Sequence, residues 1–131
     1  MTENNVKGVK TMKSLYAVCL LVKNLEKSLA FYKDVLGLEV NSSDDGYVDF
    51  KLNDTLLAIF QNDKAGIMFP KEHMNTGGGA VYAYQVKDVD KACKDLINKG
   101  VEIFEGPKKM PWGQTVAYFK DPDNNIWEIT A

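Results

Sequence analysis

The chain has 131 residues, 45% hydrophobic and 26% charged, enough apolar side chain for one core and too little length for a second independent domain. A formal charge of −2 with interspersed signs leaves no basic stripe to follow a phosphate backbone, which argues against nucleic acid as a partner. Apolar runs of strand length and an N-terminus without an apolar signal core argue against membrane and secretion, so a cytoplasmic location is expected and the two cysteines read as free thiols.

Met1 to Lys13 is polar with no period in its apolar residues, and reads as a flexible N-terminal arm (1–13) ahead of one domain over residues 14–131. Ser14 to Val22 is an apolar run suited to a strand buried on both faces. Asn24 is placed to cap a helix, and Glu26 suits its positive end. Leu25, Leu29, Tyr32 and Leu36 fall on one stripe before Gly37 ends it. Strands are expected over 38–42, 47–52 and 55–61, separated by the Ser43-Asp44-Asp45-Gly46 turn and the short Asn53-Asp54 connection. Residues 14–61 are thus strand, helix and three strands.

Residues 62–79 read as a linker, with Pro70 and three consecutive glycines at Gly77, Gly78 and Gly79. Its tip carries Ile67, Met68 and Phe69, which a purely solvated loop would not favour. His73, the single histidine, stands beside Glu72 and reads as a surface residue. Residues 80–131 then repeat the first order. Ala80 to Val86 is a strand, Asp88 caps a helix striped by Val89, Cys93, Leu96 and Ile97, and Gly100 closes it. Strands are expected over 101–104, 115–120 and 126–130, with 105–114 a loop and Asp121-Pro122-Asp123-Asn124-Asn125 a turn. Cys93 falls on the buried stripe and reads as core.

Val22-Lys23-Asn24-Leu25-Glu26-Lys27-Ser28 recurs as Val86-Lys87-Asp88-Val89-Asp90-Lys91-Ala92, 64 residues on, which marks an internal duplication. Together with VKNLEKSLAFYKDVLGLEV (Val22 to Val40) and WGQTVAYFKDPDNNIWEI (Trp112 to Ile129), these segments resemble the vicinal oxygen chelate superfamily. That group holds glyoxalase I, bleomycin-resistance proteins, fosfomycin-modifying enzymes and extradiol dioxygenases. The resemblance implies an α+β fold of two βαβββ modules, 14–61 and 80–131, with curled mixed sheets around a cleft, in a homodimer. The family usually has glycine where Asn124 stands; asparagine tolerates the positive φ such a turn needs.

Metal-dependent members of the family take one ligand from the first and last strand of each module, usually histidine or glutamate. Those four positions map to Ala17, Val81, Ala58 and Glu128. One carboxylate with three methyl or isopropyl groups would hold a divalent ion only weakly, so neither a metal nor another cofactor is expected.

Strand alternation predicts the lining of the cleft instead, because residues two apart share a face. Cys19, Leu21, Ala83 and Gln85 should face inward with Ala17 and Val81, as should Leu56, Ala58 and Phe60, and Ile126 with Glu128. Tyr118 matches a tyrosine that faces substrate in the fosfomycin-modifying branch, and Asp49 is its counterpart in the first module. Cys19, Tyr47, Asp49, Phe60, Gln85, Trp112, Tyr118 and Glu128 are the candidate ligand-binding residues. They describe an apolar, aromatic site with two carboxylates, suited to a small aromatic or cationic molecule. Plainer roles stand beside this one: Asp49 on a solvated strand face, Glu128 paired with a lysine, Tyr118 and Trp112 in core or dimer packing. Cys19 has no basic neighbour in sequence to lower its pKa. The expected function is ligand binding of the bleomycin-resistance type; the alternatives are a metal-free enzyme with Glu128 or Asp49 as general base, and a metal-dependent glyoxalase-like lyase.

Overall fold

The computed structural model describes residues 15–131; the expected arm over 1–13 lies outside them. The chain forms two four-stranded mixed sheets. The first runs β1 (Ala17–Val22), β4 (Leu56–Gln61), β3 (Tyr47–Lys51), β2 (Val40–Asp44) across its width. The second repeats this order as β5 (Val81–Gln85), β8 (Ile126–Thr130), β7 (Thr115–Lys120), β6 (Glu105–Lys109). In each, the first strand pairs in parallel with the fourth and the remaining ladders are antiparallel. The parallel pair requires a crossover, and the helix after the first strand supplies it.

Both helices start where the repeated segment places them. The Asn24 side chain accepts from the Lys27 amide at 3.0 Å and that of Asp88 from the Lys91 amide at 3.1 Å, caps worth about 1 kcal/mol each. Helix α1 (Leu25–Ala30) continues through a wider π turn, Phe31–Val35, which turns Tyr32 into the interior. Helix α2 (Val89–Asn98) buries Val89, Cys93 and Leu96, whereas Ile97, expected on the same stripe, is 54% exposed. It lies one step past the arc that meets the sheet.

Two strands fall later than expected. The first hairpin's outer strand is Val40–Asp44 rather than 38–42. The counterpart expected over 101–104 is displaced to Glu105–Lys109, inside the segment read as loop. Val101 and Ile103 are apolar because they pack on the core from an irregular segment, while Glu105–Lys109 pairs through main-chain groups. Short 3₁₀ turns at Asn62–Ile67 and Lys71–His73 order part of the expected linker. Asn124 has φ 67°, as the turn required.

Alternation then decides what each sheet face does. Leu20, Val22, Val48, Phe50, Leu57 and Ile59 of the first sheet and Ala117, Phe119, Trp127 and Ile129 of the second meet in one core. Helix α1 and its extension lie between the modules: Tyr32 packs against Phe50 on one side and Trp127 on the other, and Phe31 against Phe119. The opposite face of each sheet therefore points away from the shared core. No helix among the described residues is long and apolar enough to cross a membrane.

Candidate functional site

The residues expected to line a cleft lie on these outward faces. The ladder registers align Cys19, Ala58 and Asp49 in one row of the first sheet and Leu21, Phe60 and Tyr47 in the next. In the second sheet, Ala83, Glu128 and Tyr118 form the equivalent row, with Gln85 and Thr130 beyond it. Seven of the eight predicted site residues, Cys19, Tyr47, Asp49, Phe60, Gln85, Tyr118 and Glu128, thus occupy these two faces. Trp112 stands outside the rows, 68% exposed at the turn between β6 and β7, where its ring N–H donates to Gln114 Oε1 at 2.9 Å.

The duplication distributes its carboxylates unequally, and the structure gives them different work. Asp49 is buried and saturated. Its Oδ1 accepts from the Asn41 side-chain amide and the Ser42 backbone, each at 3.0 Å, and its Oδ2 from the Tyr47 hydroxyl at 2.7 Å. A bulge in β2 between Val40 and Ser42 aims Asn41 at it. The Tyr47 hydrogen bond above all holds the Asp49 carboxyl below its usual pKa, against desolvation, which pushes the other way. Tyr47, desolvated and bonded to that carboxylate, is in turn pushed up to about 12.

Glu128 is half-buried. Its Oε1 accepts from the Tyr118 hydroxyl at 2.8 Å, while its second oxygen has no donor among the described residues. That bond, ahead of desolvation, raises the Tyr118 pKa, so the phenol stays protonated and keeps donating at neutral pH. The result is a carboxylate oriented through one oxygen, the other being free of hydrogen bonds among the described residues. Cys19 is exposed, and desolvation pushes its thiol pKa up, which disfavours the thiolate.

Beside this row the seam between the modules opens a cleft of about 300 Å³, lined by Val18, Leu56, Val81, Ala83 and Trp127 among others. Leu56, Val81 and Ala83 belong to the predicted lining, and Ala83 is the direct cross-strand neighbour of Glu128. A larger depression of about 470 Å³ lies where the two helices end, between Phe31, Lys99, Phe104 and Lys120, and holds none of the predicted site residues.

The donor set does not fit the family's metal. Ala17, Val81 and Ala58 carry no ligating atom, which leaves the Glu128 carboxylate alone at the four positions. Among the described residues, no group of three or more His, Cys, Asp or Glu side chains is placed to hold an ion.

Sequence reasoning passed over Tyr32 and Asp121. Tyr32 is fully buried and its hydroxyl donates to Asp121 Oδ2 at 2.6 Å. Its place on the helix stripe marked it as core, and the turn marked Asp121, but nothing local joined residues 89 apart.

Residues 14–129 match the family described as the glyoxalase/bleomycin resistance protein/dioxygenase superfamily. The uncharacterized protein YraH of Bacillus subtilis is 33% identical over 122 residues, covering 88% of this chain and 95% of that protein. A metallothiol transferase, FosB, of Lysinibacillus sphaericus is 26% identical, covering 91% and 82%. A glyoxalase/bleomycin resistance protein/dioxygenase from Nocardioides superposes with a TM-score of 0.81 at 26% identity, covering all of this chain and 93% of that one.

Proposed function

The chain belongs to the glyoxalase/bleomycin resistance protein/dioxygenase superfamily, and we propose that it binds a small aromatic or cationic organic molecule on the outward sheet faces, in a cleft completed by a second copy of the chain. One observation carries this reading: Glu128 offers an oriented, half-buried oxygen with no donor of its own among the described residues. Around it lie apolar and aromatic side chains, and Val81 on the same face is 56% exposed. A charged acceptor on an apolar wall suits a ligand that pairs a flat apolar body with a cationic or N–H group.

Asp49, which the sequence could not separate from Glu128, belongs to the scaffold in this reading. A carboxylate already accepting three hydrogen bonds and held below its usual pKa is poorly suited to take a proton near neutrality. The metal chemistry in the name of the Lysinibacillus relative is not carried over, because Ala17, Val81 and Ala58 offer no ligand.

The test is a fluorescence titration of the planar cationic dye proflavine, with dimerisation followed by sedimentation. Saturable binding is expected, weakened about tenfold in Glu128→Gln, which removes the charge and keeps the shape. Absent saturation with folded wild-type protein, or equal affinity in Glu128→Gln, would sink the reading.

A further inference from the structure

The two modules serve as controls for each other, and one buried place where they differ is the turn before the last strand. In the second, the turn between β7 and β8 is built around Asp121, which is 4% exposed. Its Oδ1 accepts from the Asp123 and Asn125 amides at 2.9 and 2.8 Å, and its Oδ2 from the Asn125 side chain at 2.8 Å and the Tyr32 hydroxyl at 2.6 Å. Asp123 reaches the start of α1 by accepting from the Lys23 amide at 3.0 Å. The ring N–H of Trp127 donates to the Tyr32 hydroxyl at 3.3 Å.

The first module has no such arrangement at the matching place. Leu96 stands in α2 where Tyr32 stands in α1, 64 residues on. The connection from β3 to β4 is Leu52-Asn53-Asp54-Thr55, and Leu52, Asn53 and Asp54 are exposed. The duplicated fold therefore forms with leucine at this helix position. The tyrosine comes from the helix of the first module and reaches across to the turn that leads into β8, the strand that carries Glu128; the corresponding residue of β4 is Ala58.

Tyr32 grips β8 from both sides of its start. It anchors Asp121, which pins Asn125, the residue before the strand, and it accepts from Trp127, the residue before Glu128. Adjacent strand residues point to opposite faces, so Trp127 fixed in the core sets the direction of Glu128 on the outward face. We infer that Tyr32 is a positioning residue: it seats β8 through Asp121 and Trp127, and so aims Glu128 at the ligand. The inference rests on the reading of Glu128 as ligand acceptor.

The Tyr118 phenol reports on this geometry without any ligand, because its titration depends on the Glu128 bond. Its contribution is the difference between absorbance titrations with and without Tyr118→Phe, recorded in the wild-type and Tyr32→Phe backgrounds with circular dichroism as a control for folding. The expected result is a fall of about half a unit or more in the Tyr118 pKa on Tyr32→Phe, with proflavine affinity reduced about threefold to tenfold. Asp121→Asn, which keeps an oxygen for the turn's backbone donors, is to give the same pair of changes and decides the matter should Tyr32→Phe not fold. An unmoved Tyr118 titration in a folded variant overturns the inference, even if the variant is less stable. Failure of wild-type protein to bind the dye removes the ligand reading, and the Tyr118 titration still decides whether Tyr32 aims Glu128.

Discussion

Asp121→Ala is the perturbation whose cost follows most directly from the geometry. The carboxylate receives four donors, and two of them, the backbone amides of Asp123 and Asn125, are fixed by the turn and cannot turn elsewhere. The other two, the Tyr32 hydroxyl and the Asn125 side-chain amide, can rotate. A buried donor left without an acceptor costs about 1–3 kcal/mol, so the two fixed amides alone bring about 2–6 kcal/mol. Removing a buried charge gives back part of this through relief of desolvation, which leaves about 3 kcal/mol as the expected loss. Against a total stability of about 5–15 kcal/mol, a domain of this size should melt about 10 °C lower. Urea unfolding followed by far-UV circular dichroism measures it, with the slope checked so that the change resides in the midpoint. Asp54→Ala, in the exposed connection at the matching place of the first module, should stay within about 0.5 kcal/mol. A loss below about 1 kcal/mol for Asp121→Ala would refute the account of the turn as a buried anchor.

Gly77 has φ +77°, and a Cβ there would run into the backbone carbonyl oxygen of Asp123, so the linker passes close over the same turn. Gly77→Ala should cost about 2 kcal/mol or more, and Gly78→Ala, at φ +85° but with open space around it, nearer 1 kcal/mol; equal losses would mean that the contact with Asp123 contributes nothing. Asp49 should make stability depend on acid. Its pKa is depressed in the folded chain, chiefly by the Tyr47 hydroxyl, so its contribution is complete above the unfolded carboxylate range and lost as pH falls from there through the folded value. Asp49→Asn should flatten that part of the pH profile of the urea midpoint, and profiles that run parallel for the two proteins would contradict it.

Much of this architecture could be read from single residues. The helix starts followed from Asn24 and Asp88 because a cap is a local hydrogen bond, and the duplicated strand-helix segment fixed the order of elements in both halves. Strand parity sorted inward from outward residues because side-chain direction alternates wherever a strand is regular. What escaped depends on partners distant in sequence. Glu105–Lys109 has no alternation and pairs only because β7 presents a free edge to it. Asp49 and Glu128 look alike along the chain; they differ because a bulge brings Asn41 and Ser42 to one, while among the described residues the other receives Tyr118 alone. Tyr32 read as one more apolar stripe residue, since only the folded chain brings its hydroxyl to Asp121 and Trp127.

The central claim is that ligand binds the outward sheet faces at Glu128. Proflavine titrated into ¹⁵N-labelled protein tests it most directly, with amide shifts mapped onto the structure. The account predicts that the largest shifts fall on β1, β4, β5 and β8 and centre on Ala83 and Glu128, neighbours across one ladder, and that Glu128→Gln strongly weakens them. Shifts gathered instead on the helix ends around Lys99 and Phe104, and unchanged by Glu128→Gln, would contradict it.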